Sequence, residues 1–195
     1  MTSAAPEVKV TIETDVDQPT AAMFYELYRE AFGELETLAV ARQLLHREEF
    51  MEEMHDPRVH KYVAWNDAGE AIGMSTLTNH LETVPWISPA YFRHHYPEHF
   101  ARGAVYYIGF TLVRRAQRMS HVFQAMISRM GDVLAEAQAI VGWDICAHND
   151  DSYSFGEHAA RVLGRTGDVT VRPIDRQTYY LGTFAPADPA QGGGC

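Results

Sequence analysis

Between residues 8 and 184 the spacing of apolar positions changes period several times, and each change marks an element. Val8-Lys9-Val10-Thr11-Ile12 alternates as a strand does. After the turn signal Asp17-Gln18-Pro19, the residues Met23, Phe24, Leu27, Tyr28 and Phe32 recur at helical spacing, and Gly33 stops that helix. A second helix is predicted from Arg42 to Met54 on Leu44, Leu45, Phe50, Met51 and Met54, and Asp56-Pro57 ends it. Lys61–Trp65 and Ala71–Leu77 read as a hairpin joined by Asn66-Asp67-Ala68-Gly69. Trp86 to Gly103 is an aromatic and histidine-rich excursion without clear periodicity. The apolar run Ala104–Val113 suits a buried central strand, and Ser120 caps a predicted helix to about Ala139. Val141–Ala147 reads as a buried strand and Ser154–Leu163 as a short helix closed by Gly164. Asp168–Arg172 and Thr178–Phe184 make a final hairpin. No internal repeat is present. The order β-α-α-β-β-β-α-β-α-β-β implies a single-domain α/β fold, a mixed central sheet flanked by helices.

Composition narrows the partners. The 195 residues are 46% hydrophobic and 22% charged, enough to bury a sizeable core. Sixteen Lys and Arg against 26 Asp and Glu leave a formal charge of -10, a surface that repels phosphate backbones and anionic lipid. No nucleic-acid or membrane partner is therefore expected. Cys146 and Cys195 make neither a disulfide framework nor a zinc site by themselves. The first residues lack a basic n-region and an apolar h-region, and no apolar run approaches the roughly 20 residues of a membrane span. A soluble cytoplasmic protein is the expectation, with flexible ends at 1–7 and at the Pro-, Ala- and Gly-rich 185–195.

Three stretches carry a family resemblance. "HKYVAWNDAGEAIGMSTL" is similar to the second and third strands of the GNAT (Gcn5-related N-acetyltransferase) superfamily. "FTLVRRAQRMSHVFQAMI" sits where that family's fourth strand runs into its cofactor-binding helix, and "ICAHNDDSYSF" resembles the end of its fifth strand. The likeness spans about residues 8 to 184. It implies a GNAT-like fold and an acyl-CoA or acetyl-CoA co-substrate. The family's phosphate loop is Arg/Gln-x-x-Gly-x-Gly/Ala, whose small residues let phosphates approach the backbone. Here Arg118 takes the basic position, and Met119, His121 and Phe123 fall where glycine or alanine is usual. The acyl-homoserine-lactone and N-acyl amino acid synthases lack that glycine loop and are similar in their basic stretch, Ser and apolar helix, here Arg114, Arg115, Arg118, Ser120 and "VFQAMI". The resemblance assigns cofactor binding to the backbone of Leu112 and Val113, to Arg114, Arg115, Arg118 and Ser120 near phosphate, and to Asn149 after the fifth strand.

Acyl transfer to an amine also needs a proton acceptor and an acid for the leaving thiolate. His148, at the predicted carboxyl end of the fifth strand, titrates near neutrality and is the candidate base; the bland alternative is a surface-loop histidine. Asp144 alternates onto the same strand face and either orients His148 or pairs with an arginine. Of Tyr106 and Tyr107, on opposite faces of the central strand, one belongs to the core; Tyr107 is the candidate catalytic phenol, or lines a pocket. His94, His95, Glu98 and His99 have metal-ligand chemistry, but Pro97 interrupts the helical spacing that would align them, so no metal is expected.

Two readings of different class remain. One is an acyltransferase acting on a small-molecule amine acceptor, with an acyl-carrier protein as an alternative donor and a homodimer as one expected assembly. The other is a non-catalytic GNAT-fold module for ligand binding or interaction.

Overall fold

The computed structural model describes residues 8–114 and 121–184, apart from the side chains of Tyr153 and Phe155. Strand β1 (Lys9–Glu13) leads into helix α1 (Gln18–Phe32). Asp17 caps that helix by accepting the Thr20 N–H at 3.0 Å, and Phe24, Leu27 and Tyr28 form its buried stripe. The short helix α2 (Leu35–Leu38) follows, and then α3 (Arg47–His55).

Helix α3 starts five residues later than Arg42, because two local devices hold the preceding chain out of helix. The Tyr28 hydroxyl donates to the Gln43 carbonyl at 3.2 Å and accepts the Leu45 N–H at 2.9 Å. The Glu49 carboxylate accepts the His46 N–H at 2.7 Å, fixing the helix start there. Arg42 also ion-pairs with Glu49, and that bond holds the Glu49 carboxyl down at about 2.

Strands β2 (His60–Trp65) and β3 (Ala71–Thr78) form the expected hairpin. Asn66 Oδ1 accepts the Ala68 and Glu70 N–H groups, and Gly69 takes the left-handed conformation at φ 75°. The histidine-rich excursion contains two short helices, α4 (Pro89–His95) and α5 (Pro97–Ala101). Pro97 starts the second, so His95 and His99 lie on separate helices. Strand β4 (Val105–Val113), helix α6 (His121–Glu136) and strand β5 (Ile140–Gly142) come next. The chain then closes with α7 (Ala147–Tyr153) and α8 (Phe155–Leu163).

The five strands make one sheet in the order β1-β2-β3-β4-β5, antiparallel except for the parallel pair β4/β5. Helices α1 and α3 cover one face around Phe24, Tyr28, Phe50, Met54, Met74 and Leu112. Helices α6 and α8 cover the other around Tyr62, Leu77, Ile108, Ile127, Met130 and Val162. All eight residues of β3 are buried, as a central strand with both faces covered requires.

Three expectations are corrected. The fifth strand ends at Gly142 and His148 lies on α7, because the side chain of Asp144 is drawn toward β4, as described below. The helix read to Ala139 ends at Glu136, and Gln138 turns to φ 45°. The final hairpin is absent: residues 168–184 are exposed to differing degrees, from Val171 at 38% to Phe184 at 96%, and carry no strand. A lone two-stranded ribbon without a sheet to pack on is marginal in water.

Gly73 sets the approach of α6 to the sheet. A Cβ there would lie 2.8 Å from Val122 Cγ1 and 3.1 Å from the Leu112 carbonyl oxygen. Gly73→Val is expected to lower stability by about 2 kcal/mol through overpacking, read as a lower urea midpoint at unchanged slope. An unchanged midpoint would show that the contact between α6 and β3 is looser than described.

Candidate active site

Pairing between β4 and β5 spans Val105–Ile140, Tyr106–Val141 and Tyr107–Gly142 and stops there. Strand β4 runs on to Val113 while the other chain leaves the sheet, so the two diverge and the far half of β4 keeps an edge with no strand beside it. Arg114 N–H donates to the Ile72 carbonyl at 2.9 Å. Antiparallel alternation from that point turns the Leu112 amide and carbonyl to β3 as well, and turns those of Thr111 and Val113 to the open edge. Of the two backbone positions expected at this edge, Val113 therefore faces outward and Leu112 does not.

A bulge sits where the strands part. Ile108 pairs with Leu77 and Thr111 with Ser75, so Thr76 alone opposes Gly109 and Phe110. The extra residue inverts the side-chain alternation of β4. Ile108 packs toward α6, whereas Phe110 and Leu112 pack toward α1 and α3 beside Tyr28 and Phe50. Phe110 N–H donates to Thr76 Oγ1 at 3.3 Å, and the Thr76 hydroxyl in turn bonds the Glu53 carboxylate. Gly109 is what permits this packing: a Cβ there would lie 2.6 Å from Thr76 Oγ1 and 3.6 Å from Glu53 Oε1.

Glu53 reaches the bulge from α3. Burial pushes its carboxyl up to about 7, against the opposing bond from Thr76 and the charge of Lys61. Lys61 is itself buried, and its Nζ donates to the carbonyls of Thr14 at 3.0 Å and Asp56 at 2.8 Å. Burial lowers the Lys61 ammonium to about 8, with Glu53 the nearest opposing influence.

A small cleft of about 10 Å³ beside the bulge, room for about one water, is lined by residues that include Glu53, Thr76, Thr78, Val84, Trp86 and Gly109. Asp144 accepts the Tyr107 hydroxyl at 2.6 Å and the Trp86 indole N–H at 3.0 Å, both on Oδ1. Gly142 makes room for the Tyr107 ring, whose Cδ2 would stand 3.0 Å from a Cβ at that position. Burial first, and the bond to Asp144 second, raise the Tyr107 phenol far above its ordinary value. It keeps its proton at neutrality.

The structure thus brings Tyr107 and Asp144 together and leaves His148 apart from them. Asp144 is committed to Tyr107 and Trp86, so it does not orient His148. His148 and Asn149 sit in the first turn of α7, and the Asn149 N–H is bonded to the Cys146 carbonyl at 3.0 Å. The Arg114 side chain ends β4 with no ion pair among the described residues. Arg115, Arg118 and Ser120 lie outside the described residues. Among the described residues no cluster of three or more His, Cys, Asp or Glu has the geometry to hold a metal, and no helix is long and apolar enough to cross a membrane. Cys146 packs partly buried against the α1/α3 core.

Glu53 is the residue that periodicity alone missed. It stands three positions after the fully buried Phe50 and one before the fully buried Met54, on the apolar face of α3, whereas Glu48, Glu49 and Glu52 lie outside that stripe. An acid at an inward position is the available signal.

No protein-family model matches the sequence, and no curated protein matches it either. Solved structures match it in fold. An aminoglycoside acetyltransferase from an uncultured soil metagenomic sample, in complex with sisomicin, is 14% identical with a TM-score of 0.53, over 90% of this chain and 97% of its own. The aminoglycoside 6'-N-acetyltransferase AAC(6')-Ih from Acinetobacter baumannii is 12% identical at 0.52, over 92% of this chain and 100% of its own. AAC(6')-Iy in complex with CoA is 14% identical at 0.52, over 91% and 99%. The mixed sheet and its flanking helices are those of the GNAT fold.

The Glu53 environment has a measurable cost. A carboxyl raised from 4.5 to about 7 binds more protons folded than unfolded. Its contribution is fully present below the unfolded value and is lost as pH rises through 7. Glu53→Gln removes that dependence. The difference in urea stability between wild type and variant is expected to move in favour of the variant by about 3 kcal/mol across this window. Parallel profiles would show that Glu53 titrates normally.

Proposed function

We propose that this protein is an N-acyltransferase that moves an acyl group from acyl-CoA to a primary amine, with Glu53 as the general base. The observation that carries this reading is Glu53 itself: a partly buried acid, poised near neutrality, set against the bulge just past the last β4/β5 pair. The shared fold supports a CoA-type donor, since AAC(6')-Iy has been solved with CoA.

The outward amides and carbonyls of Thr111 and Val113 offer the donor a strand-like edge. The Arg114 side chain at the end of β4 supplies positive charge for its phosphates. An amine docks outside the small cleft as an ammonium ion and gives a proton to the Glu53 carboxylate through a water held in it. Its lone pair then attacks the thioester carbonyl. The C–N bond forms, the C–S bond breaks with its electron pair leaving on sulfur, and the nitrogen's second proton passes through water to the thiolate. Glu53 returns its proton to solvent, so the products are an amide, free CoA and one proton. A base with a pKa near the working pH suits this cycle. Tyr107, whose hydroxyl donates to Asp144, serves as a positioning residue that fixes Asp144 and through it the Trp86 wall.

The charge of -10 favours a cationic acceptor. Several solved proteins of this fold are aminoglycoside acetyltransferases by name, which supports an amine as the accepting group. Acetyl-CoA, a longer acyl-CoA and an acyl-carrier protein are the donors to compare.

Two measurements test the reading. Acetyl-CoA or a long-chain acyl-CoA is expected to raise Tm, by about 2.7 kcal/mol of stabilisation at a hundredfold excess over Kd. Thiol release with a panel of amines should then show kcat/KM rising with pH through an acidic limb near 7. Glu53→Gln is expected to lower it roughly 100-fold or more, with a smaller loss in His148→Ala. Ligand-induced stabilisation without thiol release for any amine would support the non-catalytic binding module. A loss confined to His148→Ala would move the base to α7.

A further inference from the structure

Strand β1 stands first in the sheet order and pairs with β2 alone. Its outer edge has no strand beside it among the described residues, and the backbone groups along that edge are a template for another strand. Alternation divides the strand between the two faces of the sheet. Lys9, Thr11 and Glu13 oppose Trp65, Val63 and Lys61 on the α1/α3 side, where Thr11 Oγ1 accepts the Trp65 indole N–H at 2.8 Å. Val10 and Ile12 oppose Ala64 and Tyr62 on the α6/α8 side, where Val10 packs against the core.

Three side chains of this strand lack an answer within one molecule. Neither Lys9 nor Glu13 has an ion-pair or side-chain hydrogen-bond partner among the described residues. Ile12 is left 37% exposed. The order Lys9-Val10-Thr11-Ile12-Glu13 is complementary to its own reverse. Antiparallel pairing with a second copy, about a twofold axis through Thr11, sets Lys9 opposite Glu13 twice and Val10 opposite Ile12 twice, with the two Thr11 residues facing each other. Such an axis stands perpendicular to the sheet and keeps each face on its own side. Paired residues must therefore share a face, and only a register centred on a residue is possible. Of those registers, only the centre at Thr11 pairs all five residues of the strand. Centring on Val10 sets Lys9 opposite Thr11, and centring on Ile12 does the same to Glu13.

We propose that the β1 edge is a homodimer interface, in which β1 of one copy joins β1 of the other antiparallel about Thr11, so that the two five-stranded sheets run on as one. Two ion pairs between Lys9 and Glu13 then lie on the α1/α3 side, and Ile12 of each copy gains Val10 of the other as cover on the α6/α8 side. Five residues extend about 17 Å as a strand, a short interface, so the dimer is expected to dissociate on dilution. This proposal does not depend on the acyl-transfer reading.

Sedimentation equilibrium on the full chain measures the dissociation constant, and amide exchange read by mass spectrometry locates the interface. A concentration-dependent dimer is expected, with the amides of 9–13 protected in it and exchanging faster on dilution. Lys9→Glu sets like charges opposite each other twice, and so does Glu13→Lys. Each is expected to raise the dissociation constant roughly tenfold or more, with the circular dichroism of the fold retained. The double variant Lys9→Glu/Glu13→Lys restores opposite charges and is expected to return the constant to near the wild-type value. A full chain that stays monomeric at every concentration overturns the proposal. So does a dimer that neither single reversal weakens, one that the double variant fails to restore, or one in which 9–13 exchanges as fast as in the monomer.

Discussion

Strand β4 has one residue more than β3 can pair between Ile108 and Thr111, and the geometry of the cleft follows from that surplus. Before the bulge, Ile108 belongs to the α6 core; after it, Phe110 and Leu112 belong to the α1/α3 core. A regular strand would send Phe110 and Leu112 to the face of Ile108, away from Tyr28 and Phe50. The bulge at Gly109 and Phe110 follows the last β4/β5 pair, Tyr107 with Gly142, by two residues, so the sheet opens on one side close to where its backbone is irregular on the other. Asp144 holds the departing chain through Tyr107 and Trp86, so the opening has a fixed wall.

The same place concentrates electrostatic cost. Glu53 and Lys61 are drawn in opposite directions by burial, toward about 7 and about 8, while each is the other's opposing charge. A buried acid and ammonium are a poor way to stabilise a domain, and apolar residues of similar volume would serve better. Lys61 bridges the carbonyls of Thr14 and Asp56 and so ties the end of β1 to the end of α3. Glu53 has only Thr76 as a hydrogen-bonding side chain and faces the cleft. The lysine has a structural task; the glutamate has no comparable tie to the backbone among the described residues.

Much of the fold was legible from periodicity. The hairpin at Asn66–Gly69, the turn at Asp17–Pro19, the stop at Gly164 and the apolar run of β4 are local features, each set by a few neighbouring residues. The site was far less legible because it depends on register. The run Ala104–Val113 is apolar on both faces, so no alternation exists in which a one-residue bulge could show. Asp144 and Tyr107 meet across two strands whose pairing ends at Gly142, and the reading of Val141–Ala147 as one strand pointed Asp144 at His148 instead. Glu53 was hidden among neighbouring acids, although its position between Phe50 and Met54 marks an inward face. The C-terminal pattern of alternating and β-branched residues predicts strands, yet residues 168–184 carry none.

A carbon-13 NMR titration of the side-chain carboxyls measures the state of Glu53 directly. The resonance absent from Glu53→Gln identifies the group. A midpoint near 7, falling toward acid when Gly109→Ala disturbs the packing of Thr76 and Glu53 and lets water in, is the predicted result. A midpoint at the ordinary 4.5 would contradict it and leave the cleft without its base.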